Sequence, residues 1–428
     1  MSPLAPAQVI GDRDLAALES FGATHPRCGT NRMRVVVLGA GYGGMTAALR
    51  LARRLKGCAG PGGMAELVLV DRHPYHLLKT RLHEAAVSGD EVAVGIPELL
   101  RDLNLRFECG EVEDIDLGRR RVITNTGEIA YDVLVIAMGA QSAYRGVPGL
   151  RENTLTLRTR EDAVRLRSHL QMRFAEADQT DDPVERARLR RIVIAGGGFS
   201  GVELAAELAD RVAGEVLLLQ SGERLLASAG PLLARWAAAQ LRRRGVRVET
   251  QSRLVRAEPG IAHIAEREPI AAGTLIWMGG VQVSDVLQRM GAPTGRLGRI
   301  LVDETLQVVG APGVYAIGDA ALGTDPVSGK EVPLTARFAA HEGRYVGDAI
   351  AARLQDAWVR PYHPRVRGDA YNMERYLGLA SLAFGRRGKG HASALARMLK
   401  RFPAIRHMLR MRRERAAWHL DYPLVERN

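Results

Sequence analysis

Short apolar runs and amphipathic stretches alternate along most of the chain. The runs often end at a glycine or an acid, which is typical of strands buried on both faces of a parallel sheet. Strands are predicted at 34–38, 67–70, 132–140, 191–195, 216–219, 246–250, 274–280 and 314–320. Helices are predicted at about 43–56, 161–190, 231–244 and 335–352. This alternation predicts an α/β fold.

Two of the strand-to-helix connections carry the same glycine pattern, G-x-G-x-x-G. The first turn contains Gly39, Gly41, Gly43 and Gly44, and the second contains Gly196, Gly198 and Gly201. In this pattern the first glycine makes a tight turn, the second lets the backbone approach a pyrophosphate, and the third lets the helix pack on the strand. The helix N-terminus then favours an anion. Two such turns predict two dinucleotides in one chain, as in electron transfer from a nicotinamide to a flavin.

The residue that ends the next strand differs between the two halves. Asp71 follows the strand at 67–70, where an acid typically bonds a ribose hydroxyl, whereas Gln220 follows the strand at 216–219. Gln bonds a ribose diol weakly and does not repel a 2′-phosphate, and Arg224 is near enough in sequence to meet one. We therefore expect a relaxed preference between NADH and NADPH.

The chain of 428 residues has room for two to three domains. The repeated plan predicts two Rossmann-like domains, the second inserted in the first. Residues 1–32 are expected to form a flexible extension, and residues 356–428 a basic amphipathic helical extension. The first domain is predicted at 33–150 and again at 276–355, with the second domain at 151–275.

Charge, hydropathy and cysteine content bear on where in the cell the protein is expected. The net charge is +12, and residues 386–415 alone contain eleven Lys or Arg and one acid, Glu414. No apolar run of 18 or more residues is present, so a membrane-spanning helix is not expected. The three cysteines, Cys28, Cys58 and Cys109, are far apart and form no C-x-x-C pair, which favours the cytoplasm. Cys109 is expected to be a small buried residue of a strand.

Together these segments resemble the two-dinucleotide-binding flavoproteins of the pyridine nucleotide-disulfide oxidoreductase superfamily, and most closely the type II NADH dehydrogenases. The resemblance covers roughly residues 33–350. It is carried by both glycine turns, the segment Asp71-Arg72-His73-Pro74-Tyr75-His76-Leu77, the segment Ile276-Trp277-Met278-Gly279-Gly280 and the segment Ala316-Ile317-Gly318-Asp319.

The resemblance implies FAD on the first domain and NAD(P)H on the second. It implies that the first glycine turn and Asp71 hold FAD, that Asp319 contacts its ribityl or pyrophosphate part, and that Glu203 lies where nicotinamide and flavin meet. The second glycine turn would hold the nicotinamide cofactor. Further cofactor contacts are expected from Arg72, Lys79, Val112, Ala137, Gly139, Ser200, Gln220, Gly279, Gly318 and Arg337. No metal site is predicted.

The implied acceptor is a quinone or a quinone-like small molecule, but the sequence departs from the family where the quinone is met. Relatives commonly carry glutamines there, and this chain has Arg337 and the pair His341-Glu342. These ionisable side chains suit a protic acceptor, and His341 and Glu342 are candidate catalytic residues together with Glu203. Two alternatives stay open: a soluble tailoring or detoxifying flavoenzyme acting on a specialised metabolite or oxygen, and a non-enzymatic flavin redox sensor.

The basic tail allows two arrangements. Leu395, Met398, Leu399 and Phe402 recur at helical spacing, so the segment either docks on the body of the protein or lies on an anionic membrane surface. The protein is expected in the cytoplasm, with a peripheral contact at the inner face of the membrane in the second case. Nucleic-acid binding is not expected, because no recognition motif accompanies the charge. A homodimer is compatible with the sequence.

Overall fold

The computed structural model describes residues 33–56, 65–327 and 329–364. The predicted N-terminal extension lies outside the described residues, as do Cys28, Cys58 and the basic tail from residue 365 onward. The predicted C-terminal region is therefore described only over residues 356–364.

The described elements alternate as the sequence predicts. The strands are β1 Met33–Leu38, β2 Ala65–Asp71, β3 Tyr75–Leu77, β4 Ala93–Gly95, β5 Arg106–Cys109, β6 Val112–Asp116, β7 Arg121–Thr124, β8 Gly127–Ala130, β9 Val133–Ile136, β10 Gln141–Ser142, β11 Ile192–Ala195, β12 Val216–Leu219, β13 Arg247–Glu249, β14 Leu254–Glu258, β15 Ile261–Ile264, β16 Ile270–Ala271, β17 Thr274–Trp277, β18 Val281–Gln282, β19 Ile300–Leu301, β20 Val314–Ala316 and β21 Ala321–Leu322. The helices are α1 Tyr42–Arg54, α2 Leu82–Ser88, α3 Ile96–Leu100, α4 Leu150–Asn153, α5 Arg160–Gln179, α6 Pro183–Leu189, α7 Phe199–Arg211, α8 Pro231–Arg243, α9 Asp285–Arg289 and α10 Ala336–Arg353.

The first parallel sheet has the strand order β20-β9-β1-β2-β5. Its central strands are buried on both faces, which explains why they read as continuous apolar runs rather than as alternating ones. Helices α1 and α10 pack together against this sheet, and Asp348 of α10 accepts hydrogen bonds from Arg50 and Arg54 of α1. Strand β20 is the last strand of this sheet in chain order, so residues beyond 300 complete the sheet that residue 33 begins.

The second parallel sheet has the order β13-β12-β11-β17. It repeats the plan of the first, because β11, α7 and β12 correspond to β1, α1 and β2. The antiparallel sheet β6-β7-β8 precedes β9 in the first half, and the antiparallel sheet β14-β15-β16 precedes β17 in the second. The predicted α/β class with parallel sheets is therefore confirmed.

The chain runs between the two halves through a short antiparallel ribbon. Gln141 pairs with Gln282, and Ser142 pairs with Val281. Trp277, at the end of β17, donates its indole N–H to the carbonyl oxygen of Ala143 at 2.9 Å. The predicted domain boundaries near residues 150 and 275 remain predictions.

Two expectations from the sequence differ from the structure. Cys109 is exposed, because β5 is the edge strand of the first sheet. The charged stretch 161–190 forms two helices, α5 and α6. The break falls before Pro183, which begins α6 and lacks the N–H that a continuous helix requires.

Candidate functional site

A cavity of about 790 Å³ runs from the first glycine turn to the start of α7 in the second half. Fourteen of the predicted site residues line it: Gly39, Gly41, Gly43, Asp71, Arg72, Lys79, Val112, Ala137, Gly139, Ser200, Glu203, Gly318, Asp319 and Arg337. The others lie outside its lining: Gly44, Gly196, Gly198, Gly201, Gln220, Gly279, His341 and Glu342. The structure thus brings most predicted flavin-site residues around one space, and Ser200 and Glu203 reach it from the second half.

The first glycine turn is shaped by close backbone contacts. Gly39 has a φ of +96°, and a Cβ on Gly44 would lie only 1.8 Å from the Gly39 carbonyl oxygen. Neither position therefore accepts a side chain without movement of the backbone. A Cβ on Gly41 would meet nothing within 4 Å, so the backbone is open there. This is the cradle that a closely approaching phosphate requires.

Two side chains hold the first turn in place. The Asp71 carboxylate accepts hydrogen bonds from the backbone N–H of Ala40 at 2.6 Å and of His73 at 2.9 Å. His76 is fully buried, and its Nδ1 lies 2.7 Å from the Ala40 carbonyl oxygen. Burial lowers the pKa of His76, so its ring is neutral and Nδ1–H donates to that carbonyl. Sequence reasoning quoted His76 within a motif but gave it no role.

The second glycine turn repeats this geometry without the acid. A Cβ on Gly201 would lie 1.9 Å from the Gly196 carbonyl oxygen, whereas a Cβ on Gly198 would meet nothing within 4 Å. The Gln220 side-chain oxygen accepts a hydrogen bond from the backbone N–H of Gly197 at 2.9 Å. The guanidinium of Arg224 donates to the carbonyl oxygens of Ala227 and Ala229, at 3.1 and 2.7 Å.

Two cationic side chains, Lys79 and Arg158, line the cavity. Lys79 opens onto it, and the pKa of its amine is lowered by the surrounding protein and by the nearby charge of Arg158, against the opposing effect of Asp319. Burial likewise lowers the pKa of Arg158. Its Nε is buried and has no hydrogen-bond partner among the described residues. Sequence reasoning missed Arg158, which lies between the two domain patterns and carries no motif.

A histidine and a carboxylate face each other where the halves meet. Glu203 of α7 is a quarter exposed, and its Oε2 lies 3.8 Å from Nδ1 of the buried His83 on α2. Glu84, the next residue on α2, is buried and binds Arg81 at 2.8 Å. Sequence reasoning predicted Glu203 but missed His83, whose approach to α7 depends on helix packing.

The predicted pair His341-Glu342 separates into two environments. His341 is exposed, and its Nδ1 lies 3.0 Å from the Tyr362 hydroxyl. Glu342 is buried and accepts a hydrogen bond from the backbone N–H of Gly318 at 2.5 Å. Burial raises the pKa of Glu342 to about 8.

The first turn of α10 also lines the cavity. Thr335 caps this helix by accepting a hydrogen bond from the Phe338 N–H at 3.3 Å, and Ala336, Arg337 and Ala339 face the cavity. The dipole of the helix favours negative charge at this end. Two open glycine cradles, two helix starts and the Lys79–Arg158 pair fit two anionic dinucleotides.

None of the helices in the described part of the chain combines the length and the apolar composition that a membrane-spanning segment needs.

Comparison with known proteins gives the family. Residues 33–343 match the family described as pyridine nucleotide-disulphide oxidoreductase. The chain is 32% identical to the demethylphylloquinone reductase NdbB of Synechocystis sp., over 88% of this chain and 94% of that protein. It is 27% identical to a type II NADH:quinone oxidoreductase of Staphylococcus haemolyticus, over 85% of this chain and 93% of that protein.

A solved structure shows the same fold. NDH2 of Plasmodium falciparum, in complex with NADH, has a TM-score of 0.66 to this chain at 18% identity, over 75% of this chain and 83% of that one. The family match and the similar proteins confirm the resemblance inferred from the motifs. The chain belongs to the pyridine nucleotide-disulphide oxidoreductase family.

Proposed function

We propose that this protein is an FAD-dependent NAD(P)H oxidoreductase that delivers electrons to a quinone or a quinone-like small molecule. The observation that carries the proposal is the cavity itself, which begins at the open cradle of Gly41 and ends at Ser200 and Glu203 of the second half. One binding space therefore draws on both dinucleotide-binding patterns. The names of two similar proteins, a demethylphylloquinone reductase and an NADH:quinone oxidoreductase, support a quinone as acceptor.

The first half of the chain would hold FAD. Gly39, Gly41 and the start of α1 would face the pyrophosphate, and Asp71 retains lone pairs for a ribose hydroxyl beside its two backbone bonds. Asp319 and the start of α10 line the same cavity further along. When bound, FAD supplies a ring that accepts hydride from the nicotinamide and passes the electrons on.

The second half would hold the nicotinamide cofactor through Gly198, the start of α7 and Gln220. Glu203 and His83 stand at the junction, where they would orient the nicotinamide or hold a proton. Lys79 and Arg158 place positive charge on the cavity wall, where it favours negative charge gained on reduction. In this proposal, His341 and Arg337 belong to the site of the electron acceptor. Glu342 influences the cavity from a buried position behind its wall.

We further propose that the protein works in the cytoplasm, where the basic segment 386–415 contacts an anionic membrane surface that contains the quinone. We also propose that the protein forms a homodimer. The segment 386–415 lies outside the described residues.

Anaerobic stopped-flow spectroscopy tests the proposal. The purified protein should be yellow, and NADH or NADPH should bleach the flavin rapidly. A menaquinone analogue or menadione should then reoxidise it. A slow or absent bleach would contradict an NAD(P)H oxidoreductase and favour a redox sensor. Rapid bleaching followed by reoxidation with oxygen but with no quinone would favour the tailoring flavoenzyme.

Liposomes separate the membrane contact from the chemistry. Reoxidation by a long-chain quinone should be faster with anionic than with neutral vesicles, and this difference should disappear when 386–428 is deleted. Flavin reduction by NADH should stay unchanged in the deletion variant. Equal loss of both half-reactions would contradict a role for the segment at the membrane.

A further inference from the structure

Helix α10 carries a buried carboxyl group directly behind the cavity wall. Glu342 is 2% exposed, and its Oε2 accepts the backbone N–H of Gly318 at 2.5 Å. Gly318 has a φ of +68° and lines the cavity together with Asp319. The side chain therefore joins α10 to the turn that presents Asp319 to the cavity.

Burial is the main factor that disfavours the charged form of Glu342. Asp319 lies near enough to raise the pKa of Glu342 beyond the effect of burial, while the hydrogen bond from Gly318 and the charge of Arg299 act in the opposite direction. Arg299 is buried and donates to the carbonyl oxygens of Ala321 and Val332, so its guanidinium is committed elsewhere. A further titratable neighbour, Tyr362, has a pKa raised by burial and stays neutral.

A neutral Glu342 can still support the turn. A protonated carboxyl group keeps a carbonyl oxygen that accepts the Gly318 N–H, as an amide oxygen would. Loss of the proton keeps this bond but places a negative charge in a buried position behind Asp319, where the low dielectric makes repulsion strong. The bound cofactor would bring two further negative charges on its pyrophosphate to the same cavity.

We propose that Glu342 is a protonation-dependent positioning residue of the FAD site: while neutral it holds the Gly318–Asp319 turn against α10, and once ionised it weakens the binding of the anionic cofactor. This inference depends on the proposed function, because it takes FAD as the occupant of the cavity. It makes cofactor retention sensitive to alkaline pH through a residue that does not line the cavity.

The affinity for FAD depends on pH because cofactor binding and the ionisation of Glu342 are thermodynamically linked. An anionic cofactor favours the neutral form of Glu342, so binding of FAD raises the pKa of this carboxyl group further. FAD binding is then strongest below pH 8 and weakens as the pH rises through the titration of Glu342. Lys79 lines the same cavity, and loss of its charge at alkaline pH also weakens anion binding. A control that removes only the titration of Glu342 is therefore needed.

The experiment measures free FAD after dilution and ultrafiltration of the holoprotein between pH 6.5 and 9.5. Glu342→Gln is the matched control, since its amide accepts the Gly318 N–H and cannot ionise. We expect the ratio of the wild-type FAD dissociation constant to that of Glu342→Gln to rise about fivefold between pH 7 and 9.5. A ratio that stays constant with pH would overturn the inference.

A second variant tests the support of the turn. Glu342→Leu removes the acceptor of the Gly318 N–H, and FAD should dissociate more readily than from Glu342→Gln at every pH. Equal dissociation from the two variants would refute the positioning role. A wild-type protein that binds no FAD at any pH would instead contradict the proposed function, so the two failures are distinguishable.

Discussion

His83 and Glu203 come from different halves of the chain and meet in the cavity, with 3.8 Å between the imidazole Nδ1 and the carboxylate Oε2. Helix α2, which carries His83, packs against helix α7, which carries Glu203. The junction between the two halves is therefore lined by ionisable groups on both sides. Their chemistry depends on how the halves pack, and not on either glycine turn alone.

Replacement of Glu203 should separate cofactor binding from turnover. Glu203→Ala should retain FAD, because the first half holds that cofactor, but flavin reduction by NADH should slow about tenfold to a hundredfold from poorer positioning. Stopped-flow absorbance measures this step directly. Asp210→Ala removes a carboxylate from the same helix outside the cavity lining and should reduce the flavin at the wild-type rate.

His83 should act in the same step as Glu203. His83→Leu should slow flavin reduction, and the double variant should be less impaired than the product of the two single effects. Strictly multiplicative effects would show that the two side chains work independently.

Gln220 should determine the tolerance for NADPH. Its amide oxygen bonds the backbone N–H of Gly197, much as the Asp71 carboxylate bonds that of Ala40. Because the amide is neutral, kcat/KM for NADH and NADPH should agree within about tenfold. Gln220→Glu should shift the ratio toward NADH by about tenfold, because a carboxylate repels the 2′-phosphate.

Arg224 provides the comparison for this experiment. Its guanidinium already donates to two backbone carbonyl oxygens, so Arg224→Gln should change kcat/KM for both cofactors alike. A decrease in kcat/KM for NADPH alone would mean that Arg224 leaves those carbonyl oxygens to bind the 2′-phosphate.

Lys79 and Arg158 should raise the reduction potential of the bound flavin. The protein around the cavity lowers the pKa of both groups, and the charge of Arg158 lowers that of Lys79 further, so negative charge in the cavity would stabilise both cations. Lys79→Met and Arg158→Met should each favour the oxidised form about tenfold, which corresponds to about 30 mV for a two-electron couple. Equilibration with a redox dye under anaerobic conditions measures this shift.

Arg289 is a suitable control for these variants. It lines the same cavity, but its guanidinium donates to the carbonyl oxygen of Glu113 in β6. Arg289→Met should leave the potential close to the wild-type value. A similar shift in all three variants would indicate a general effect of net charge.

The sequence predicts the parallel strands well because strands buried on both faces leave a continuous apolar run. The prediction that Cys109 is buried was wrong, because β5 is an edge strand and exposes its last residue. Glu342 and His341 are adjacent in sequence, but they point to different environments because successive residues of a helix lie about 100° apart. Their contrast in burial depends on which face of α10 meets the Gly318 turn.

Contacts between distant segments were beyond sequence reasoning. Arg158 and Lys79 line the same cavity only because distant segments of the chain pack together, and His83 approaches Glu203 only because α2 packs on α7. Local patterns can place a residue on a strand or a helix, but they carry no information about such neighbours. The glycine motifs and Asp71 were identified because their geometry is set within one strand–turn–helix unit.

The two glycines of the first turn should respond differently to the same substitution. Gly41→Ala should fold normally, because its Cβ would meet nothing within 4 Å, yet the methyl group would occupy the space that a phosphate needs. Gly44→Ala places a Cβ 1.8 Å from the Gly39 carbonyl oxygen, so it should lower the free energy of unfolding by about 2 kcal/mol or more. Thermal unfolding without added FAD should therefore separate the variants, while both should lose bound flavin. If Gly41→Ala retained FAD with wild-type affinity, the pyrophosphate would have to lie elsewhere, and the open backbone at Gly41 would not be its cradle.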